Sequence, residues 1–156
     1  MSRLIRALAL LLGLSLVAVG CGASDDSTSS SSSAKDDGAF TVGFIYVGPK
    51  DDFGYNQAAY EGSLAMKKAV PGVKVLQAEN VPETAEAEQV MQNMIDKGAK
   101  LIFATSYGHL EFAQNVAEKN PDVTFVHQGG LEGKRKMDNV GTYFGTVYEP
   151  VYLAGI

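Results

Sequence analysis

The chain has 156 residues, a formal net charge of −5, 46% hydrophobic side chains and a single cysteine. An acidic balance with little clustered lysine or arginine excludes nucleic acid as a partner, because phosphate contacts need such clusters. One cysteine excludes an internal disulfide framework, and no internal repeat points to a solenoid.

Arg3 and Arg6 precede Ala7 to Val19, thirteen uncharged and mostly apolar residues, which are followed by Gly20 and Cys21. A charged start, a short apolar run and a small residue predict a secretory signal peptide over 1–20. The run is too short for a transmembrane helix, which needs about 20 apolar residues. Val17-Ala18-Val19-Gly20-Cys21 resembles the bacterial lipobox, with Ala18 where its strongest form has Leu. The resemblance implies cleavage before Cys21 and a diacylglyceryl thioether on its sulfur. A secretory signal cut elsewhere, leaving Cys21 as a reactive thiol, is the alternative. Loss of Arg3 and Arg6 takes the net charge from −5 to −7. Residues 21–38 include the run DDSTSSSSSAKDDG, which has no apolar side chain larger than alanine. Such a segment cannot bury enough surface to offset ordering entropy, so it reads as a tether.

The folded part is expected over 39–156. Phe40 to Val47 (FTVGFIYV) is apolar and rich in β-branched and aromatic residues, hence a buried strand that Gly48-Pro49 ends. Asn56 is expected to cap a helix running to about Val70, with Ala59, Gly62, Ala65, Met66, Ala69 and Val70 inward. Val73 to Ala78 is the second strand. Thr84 caps the next helix, whose stripe is Ala87, Val90, Met91, Met94 and Ile95, with Gly98 at C′. Leu101 to Thr105 is strand three. His109 to Asn120 is helix three, with Phe112, Ala113, Val116 and Ala117 inward and His109 exposed on its first turn. Val123 to His127 is strand four and Asn139 to Tyr143 a short strand five. Lys134-Arg135-Lys136 reads as a solvated turn. A last helix starts at Glu149, and the chain ends inside an apolar run, which predicts a truncated C-terminus.

Alternating strands and helices predict an α/β fold, a doubly wound and mainly parallel sheet in the order 2-1-3-4-5. Ligands on such sheets lie at the carboxyl ends of the strands. That rule selects Gly48–Asn56, Thr105–His109, His127–Gly130 and Thr142–Phe144.

The first of these loops carries Asp51, Asp52, Phe53, Tyr55 and Asn56. Two carboxylates before a helix N-terminus disfavour a phosphate; they suit a neutral solute with hydroxyl or amino donors, and the rings suit a heterocycle. The plainer readings are that an aspartate of this loop caps the helix and that Phe53 or Tyr55 plugs the sheet edge. Ser106 and Tyr107 follow strand three and reach the same crevice, unless Ser106 caps and Tyr107 packs. Gln128 and Gly129 follow strand four, where glycine lets backbone approach closely. Tyr143 is a further stacking ring or a packing one, and His127 reads as a satisfied core histidine. No nucleophile elbow, Gly-rich phosphate loop or metal-spaced His/Cys/carboxylate set is present, so neither catalysis nor a cofactor or metal is expected.

FTVGFIYVGPKDDFGYNQAAYEG (Phe40–Gly62), ATSYG (Ala104–Gly108) and NVGTYFGTVYEPVYLAGI (Asn139–Ile156) together resemble the basic membrane protein family. These are lipid-anchored solute receptors of ABC importers, typified by purine-nucleoside-binding lipoproteins. The resemblance implies a type I periplasmic-binding-protein fold, of which this chain holds the first lobe. It places Asp52, Phe53, Tyr55 and Asn56 in the ligand loop, with Tyr55 as the stacking ring and Asn56 as the polar reader. Ser106 and Tyr107 fall in the family's strand-three loop, and Glu149 matches a structural or interfacial carboxylate. Many members have Ser-Phe-Asn or Gly-Trp-Thr where this chain has Gly54-Tyr55-Asn56, leaving nucleoside, free purine or a related solute open. The implied partners are that solute, an ABC permease, and the outer face of the membrane through the lipid on a monomeric protein. A tethered ligand sensor and a flavodoxin-like α/β enzyme are the alternatives.

Overall fold

A computed structural model describes residues 39–130 and 135–155; the signal peptide, Cys21, the serine-rich tether and Lys134 lie outside the described residues. In chain order the elements are β1 (Thr41–Ile45), α1 (Tyr55–Ala69), β2 (Lys74–Ala78), α2 (Glu86–Asp96) and β3 (Ala99–Ala104). A 3-10 turn (Tyr107–His109) then leads into α3 (Leu110–Lys119), β4 (Thr124–Gln128), β5 (Val140–Tyr143) and α4 (Tyr148–Ala154). The strands form one parallel sheet in the order β2-β1-β3-β4-β5, as the alternating pattern requires.

Side chains alternate across the pleat of β1, and the two faces build two cores. Val42, Phe44 and Tyr46 join Ala59, Val73, Leu101 and Phe103 under α1. Phe44 stacks on Phe103 with ring centroids 4.5 Å apart. Ile45 on the other face meets Met91, Met94, Ile102, Ala113, Val116 and Phe125 under α2 and α3. Gly43 lies between Met94 and Ile102: a Cβ there would be 2.6 Å from Met94 Sδ and 2.7 Å from Ile102 Cδ1. α2 can therefore approach β1 only because that position lacks a side chain.

The stripes expected on α2 and α3 are the ones buried or partly buried. Gly98 takes φ +94 just past α2, and its N–H reaches Ile95 O at 2.8 Å, the left-handed stop expected of it. The stripe expected on α1 is different. Asn56, Ala59 and Ser63 face in, while Gly62, Ala65, Ala69 and Val70 are exposed. A polar Ser63 can be buried because its hydroxyl donates to Tyr60 O (2.7 Å) and accepts from Gln77 Nε2 (2.8 Å).

Asn56 does not cap α1; the helix begins at Tyr55 and Asn56 is buried within its first turn. His109 is fully buried rather than exposed. The tighter 3-10 winding before α3 turns its ring toward the β2–α2 connection, where Nε2 donates to Val81 O at 3.0 Å. Arg135 is not a free turn residue either, since its guanidinium reaches Asn115 Oδ1 at 2.6 Å and Glu118 at 3.2 Å on α3.

Candidate functional site

Because every strand is parallel, the loops after β1, β2, β3, β4 and β5 leave the same edge of the sheet. The loop after β1 is organised by Asp52. Its Oδ1 accepts from the amides of Gly54 (2.9 Å) and Gln57 (3.0 Å), and its Oδ2 from the amide (3.1 Å) and Nδ2 (2.8 Å) of Asn56. These four donors, the Gln57 amide foremost, pull the carboxyl down to a pKa of about 2. A carboxylate has about four acceptor sites, so the first turn of α1 uses Asp52 fully. Asn56 is committed as well, because its Oδ1 accepts from Gly48 N at 3.3 Å. Asp52 and Asn56 thus tie both ends of one loop to the helix.

That tie holds Phe53 and Tyr55 outward. Phe53 adopts φ 56, left-handed backbone that costs a bulky residue about 1–2 kcal/mol, and only its amide, donating to Gln57 Oε1 (3.1 Å), anchors it. The ring itself is 93% exposed. Tyr55 leans across the sheet edge, and its hydroxyl donates to Gln128 O at 2.8 Å. Tyr143, at the end of β5, donates to Gln128 Oε1 at 2.8 Å. Gln128 is thereby the junction of two tyrosines, and desolvation raises both phenol pKa values, so each stays a neutral donor. Tyr55, Tyr143 and Tyr107 are 40%, 44% and 65% exposed, so with Phe53 four rings of this edge face solvent.

The loop after β3 is held from three sides. Thr105 Oγ1 donates to Ile45 O at 2.7 Å. His127, fully buried, points Nε2 at the carbonyls of Ser106 (2.9 Å) and Tyr107 (3.1 Å). A carbonyl only accepts, so Nε2 carries the proton and the ring is the satisfied core histidine its strand position suggested. Desolvation lowers its pKa, which keeps it neutral. The third hold is Glu83, which sequence reasoning passed over. Its Oε1 accepts from Ser106 Oγ (2.5 Å) and from the amide of Gly108 (2.7 Å). The only sequence signal for Glu83 is its place after β2, on the same edge of the sheet.

Gly129 does permit a close approach, but the group it admits is the His127 ring, which a Cβ there would strike. Lys50 is paired with Glu79 at 2.8 Å and lies 5.0 Å from the Tyr60 ring centroid, so it offers no free cation to an anion. No group of histidine, cysteine and carboxylate side chains among the described residues could hold a metal ion. No helix among them is long and apolar enough to cross a membrane.

A parallel five-stranded α/β sheet of this order is the fold of one lobe of ABC solute-binding proteins of known structure. The lobe superposes with a TM-score of 0.60 on an ABC transporter solute-binding protein from Conexibacter woesei, at 24% identity, over 68% of this chain and 35% of that one. The chain belongs to the Bmp family, described as ABC transporter substrate-binding protein PnrA-like, whose profile matches residues 39–156. Over 119 residues it is 39% identical to a purine-binding protein of Brucella abortus, covering 74% of this chain and 32% of that protein. Over 112 residues it is 30% identical to TsgA13 of Haloferax volcanii, named as an ABC transporter glucose-binding protein, covering 72% of this chain and 28% of that protein. The chain therefore spans about a third of the length of these relatives.

Proposed function

We propose that this chain is the ligand-contacting lobe of a lipid-anchored, non-catalytic receptor that delivers an uncharged purine nucleoside or base to an ABC permease. The observation that carries the reading is the set of four outward rings, Phe53, Tyr55, Tyr107 and Tyr143, on the carboxyl edge of the sheet. Such rings stack on any flat heterocycle, at about 1–3 kcal/mol per base. The family and the Brucella purine-binding relative support the same class of solute. Tyr55 is the principal stacking face, with Gln128 and Gly129 beside it.

Asp52 and Asn56 belong to this site by holding the loop, and Ser106 by fixing Tyr107. Among the described residues, the titratable side chains that hold this edge are engaged in structural hydrogen bonds, which favours binding over chemistry. The carboxylate of Asp52 is held as an anion by its helix donors, and both histidines have one nitrogen engaged by backbone carbonyls. The anchor is Cys21, acylated after removal of 1–20, with 21–38 as the tether to the outer face of the membrane. The domain is the lobe at 39–156, and the protein acts as a monomer.

The glucose-binding name of the Haloferax relative supports a second reading, a sugar stacked on the same rings. Titration with adenosine, guanosine, free purines and glucose separates them. Chemical-shift changes with a purine compound and none with glucose are expected; the reverse would replace purine by sugar, and no response to any would remove the aromatic-solute reading. Mass spectrometry of protein from membranes should find acyl groups on Cys21, and a free thiol there would remove the anchor.

A further inference from the structure

Tyr107 is one of the two most exposed rings of the site, yet its own side chain contributes none of the hydrogen bonds that hold its loop. Its position is decided by its neighbours. Ser106 Oγ and Gly108 N, on either side of it, both donate to the single oxygen Glu83 Oε1, at 2.5 and 2.7 Å. One acceptor taking donors from residues i−1 and i+1 closes a short ring around Tyr107 and leaves little freedom for its backbone. Gly108 is needed for this closure, because a Cβ there would meet the Glu83 carboxylate. Glu83 itself stands on the connection between β2 and α2, anchored by Val81, whose amide donates to Tyr46 O at 2.9 Å and whose carbonyl accepts from His109. The clamp is therefore fixed to the core and reaches outward to the rim.

We propose that Glu83 is a positioning residue for solute binding: it acts through Ser106 and Gly108 to present the Tyr107 ring to the ligand. This rests on the reading of the carboxyl edge as a solute site. An aromatic face presented by a pre-ordered loop binds without an ordering cost at the moment of capture. The Ser106 hydroxyl, first, and the Gly108 amide hold the Glu83 carboxyl below the usual glutamate range, consistent with both donors acting on the ionised form.

The test uses amide NMR on the full chain, with no ligand in its first part. The Gly108 amide proton is expected downfield, moving with pH as Glu83 titrates, with a midpoint below that of an ordinary glutamate. Glu83→Gln keeps an acceptor oxygen, so the shift should stay downfield while its titration disappears. Glu83→Ala should return Gly108 to an exposed-amide shift and speed hydrogen exchange at Tyr107 and Gly108. A wild-type Gly108 shift that ignores pH, or unchanged exchange in Glu83→Ala, would overturn the clamp.

The second part is titration with adenosine. Glu83→Ala should weaken binding by about fivefold, Glu83→Gln should restore most of it, and Tyr107→Ala should abolish the difference between them. Equal affinities of wild type and Glu83→Ala, with the NMR changes present, would overturn the positioning role. No adenosine binding by wild type would instead count against the nucleoside reading, and the ligand arm would then be run with glucose, where the same ranking is required.

Discussion

At the scale of single residues, this edge of the protein separates groups that hold from groups that face outward. Asp52 and Asn56 look from their types like solute contacts, yet their hydrogen-bonding capacity goes to α1 and Gly48. Replacing Asp52 with Ala should lower the urea midpoint of unfolding at pH 7. The unfolded carboxyl titrates near 3.9 and the folded one at about 2. Its stabilisation is thus complete above about pH 4 and is lost as pH falls toward 2. The gap between wild type and Asp52→Ala should therefore close near pH 2. Tyr55 divides into a ring and a hydroxyl. Tyr55→Phe should cost about 0.5–1.5 kcal/mol through the lost bond to Gln128 O, with ligand affinity nearly kept. Tyr55→Ala should remove most purine binding in a titration, and an unchanged affinity would return the ring to a packing role.

At the scale of elements, the sheet is set by apolar runs and the helices by the faces they bury. α2 is the element most dependent on shape. Ala87, Met91 and Met94 are buried, and Gly43 on β1 receives Met94. Gly43→Ala would drive a methyl into Met94 and Ile102, costing about 1–3 kcal/mol by overpacking. Met91→Ala should cost about 2–5 kcal/mol by leaving a cavity. Thermal unfolding of both variants checks the two signs of the same packing rule. The inward stripe of α1 was less legible. The 3–4 spacing places Gly62, Ala65 and Ala69 inward, whereas the helix turns Asn56, Ala59 and Ser63 to the sheet. A pattern of apolarity cannot show that Ser63 finds Tyr60 O, Gln77 and a buried seat.

At the scale of the molecule, two buried histidines link the rim to the core. Desolvation pushes both below the usual imidazole range. Unfolded, they titrate near 6.5. The unfolded chain then binds more protons just below that pH, so their contribution is full above about pH 6.5 and is lost as pH falls through the depressed folded values. Urea midpoints should fall as pH drops below about 6.5, and His127→Gln should flatten that slope. The chain spans about a third of its relatives, and on the proposed reading one lobe presents one side of a solute. One stack and a few hydrogen bonds amount to roughly 4 kcal/mol, or a dissociation constant near millimolar. An NMR titration with adenosine should find that weak range, and a micromolar value would show that the rings of this lobe already enclose the ligand.

The sequence by itself determined the parallel α/β sheet, its strand order and which loops leave its carboxyl edge, because burial on both faces writes those features as contiguous apolar runs and periodic stripes. It also carried the family, through the segments around Phe40–Gly62 and Asn139–Ile156. Only the tertiary structure decided which polar groups are already spoken for: Asp52 on α1, His109 on Val81, His127 on Ser106 and Tyr107, and Glu83 on Ser106 and Gly108. The reason is that a hydrogen bond depends on where a donor and an acceptor meet in space. Glu83 and Ser106 are 23 residues apart, and only the folded sheet brings them together.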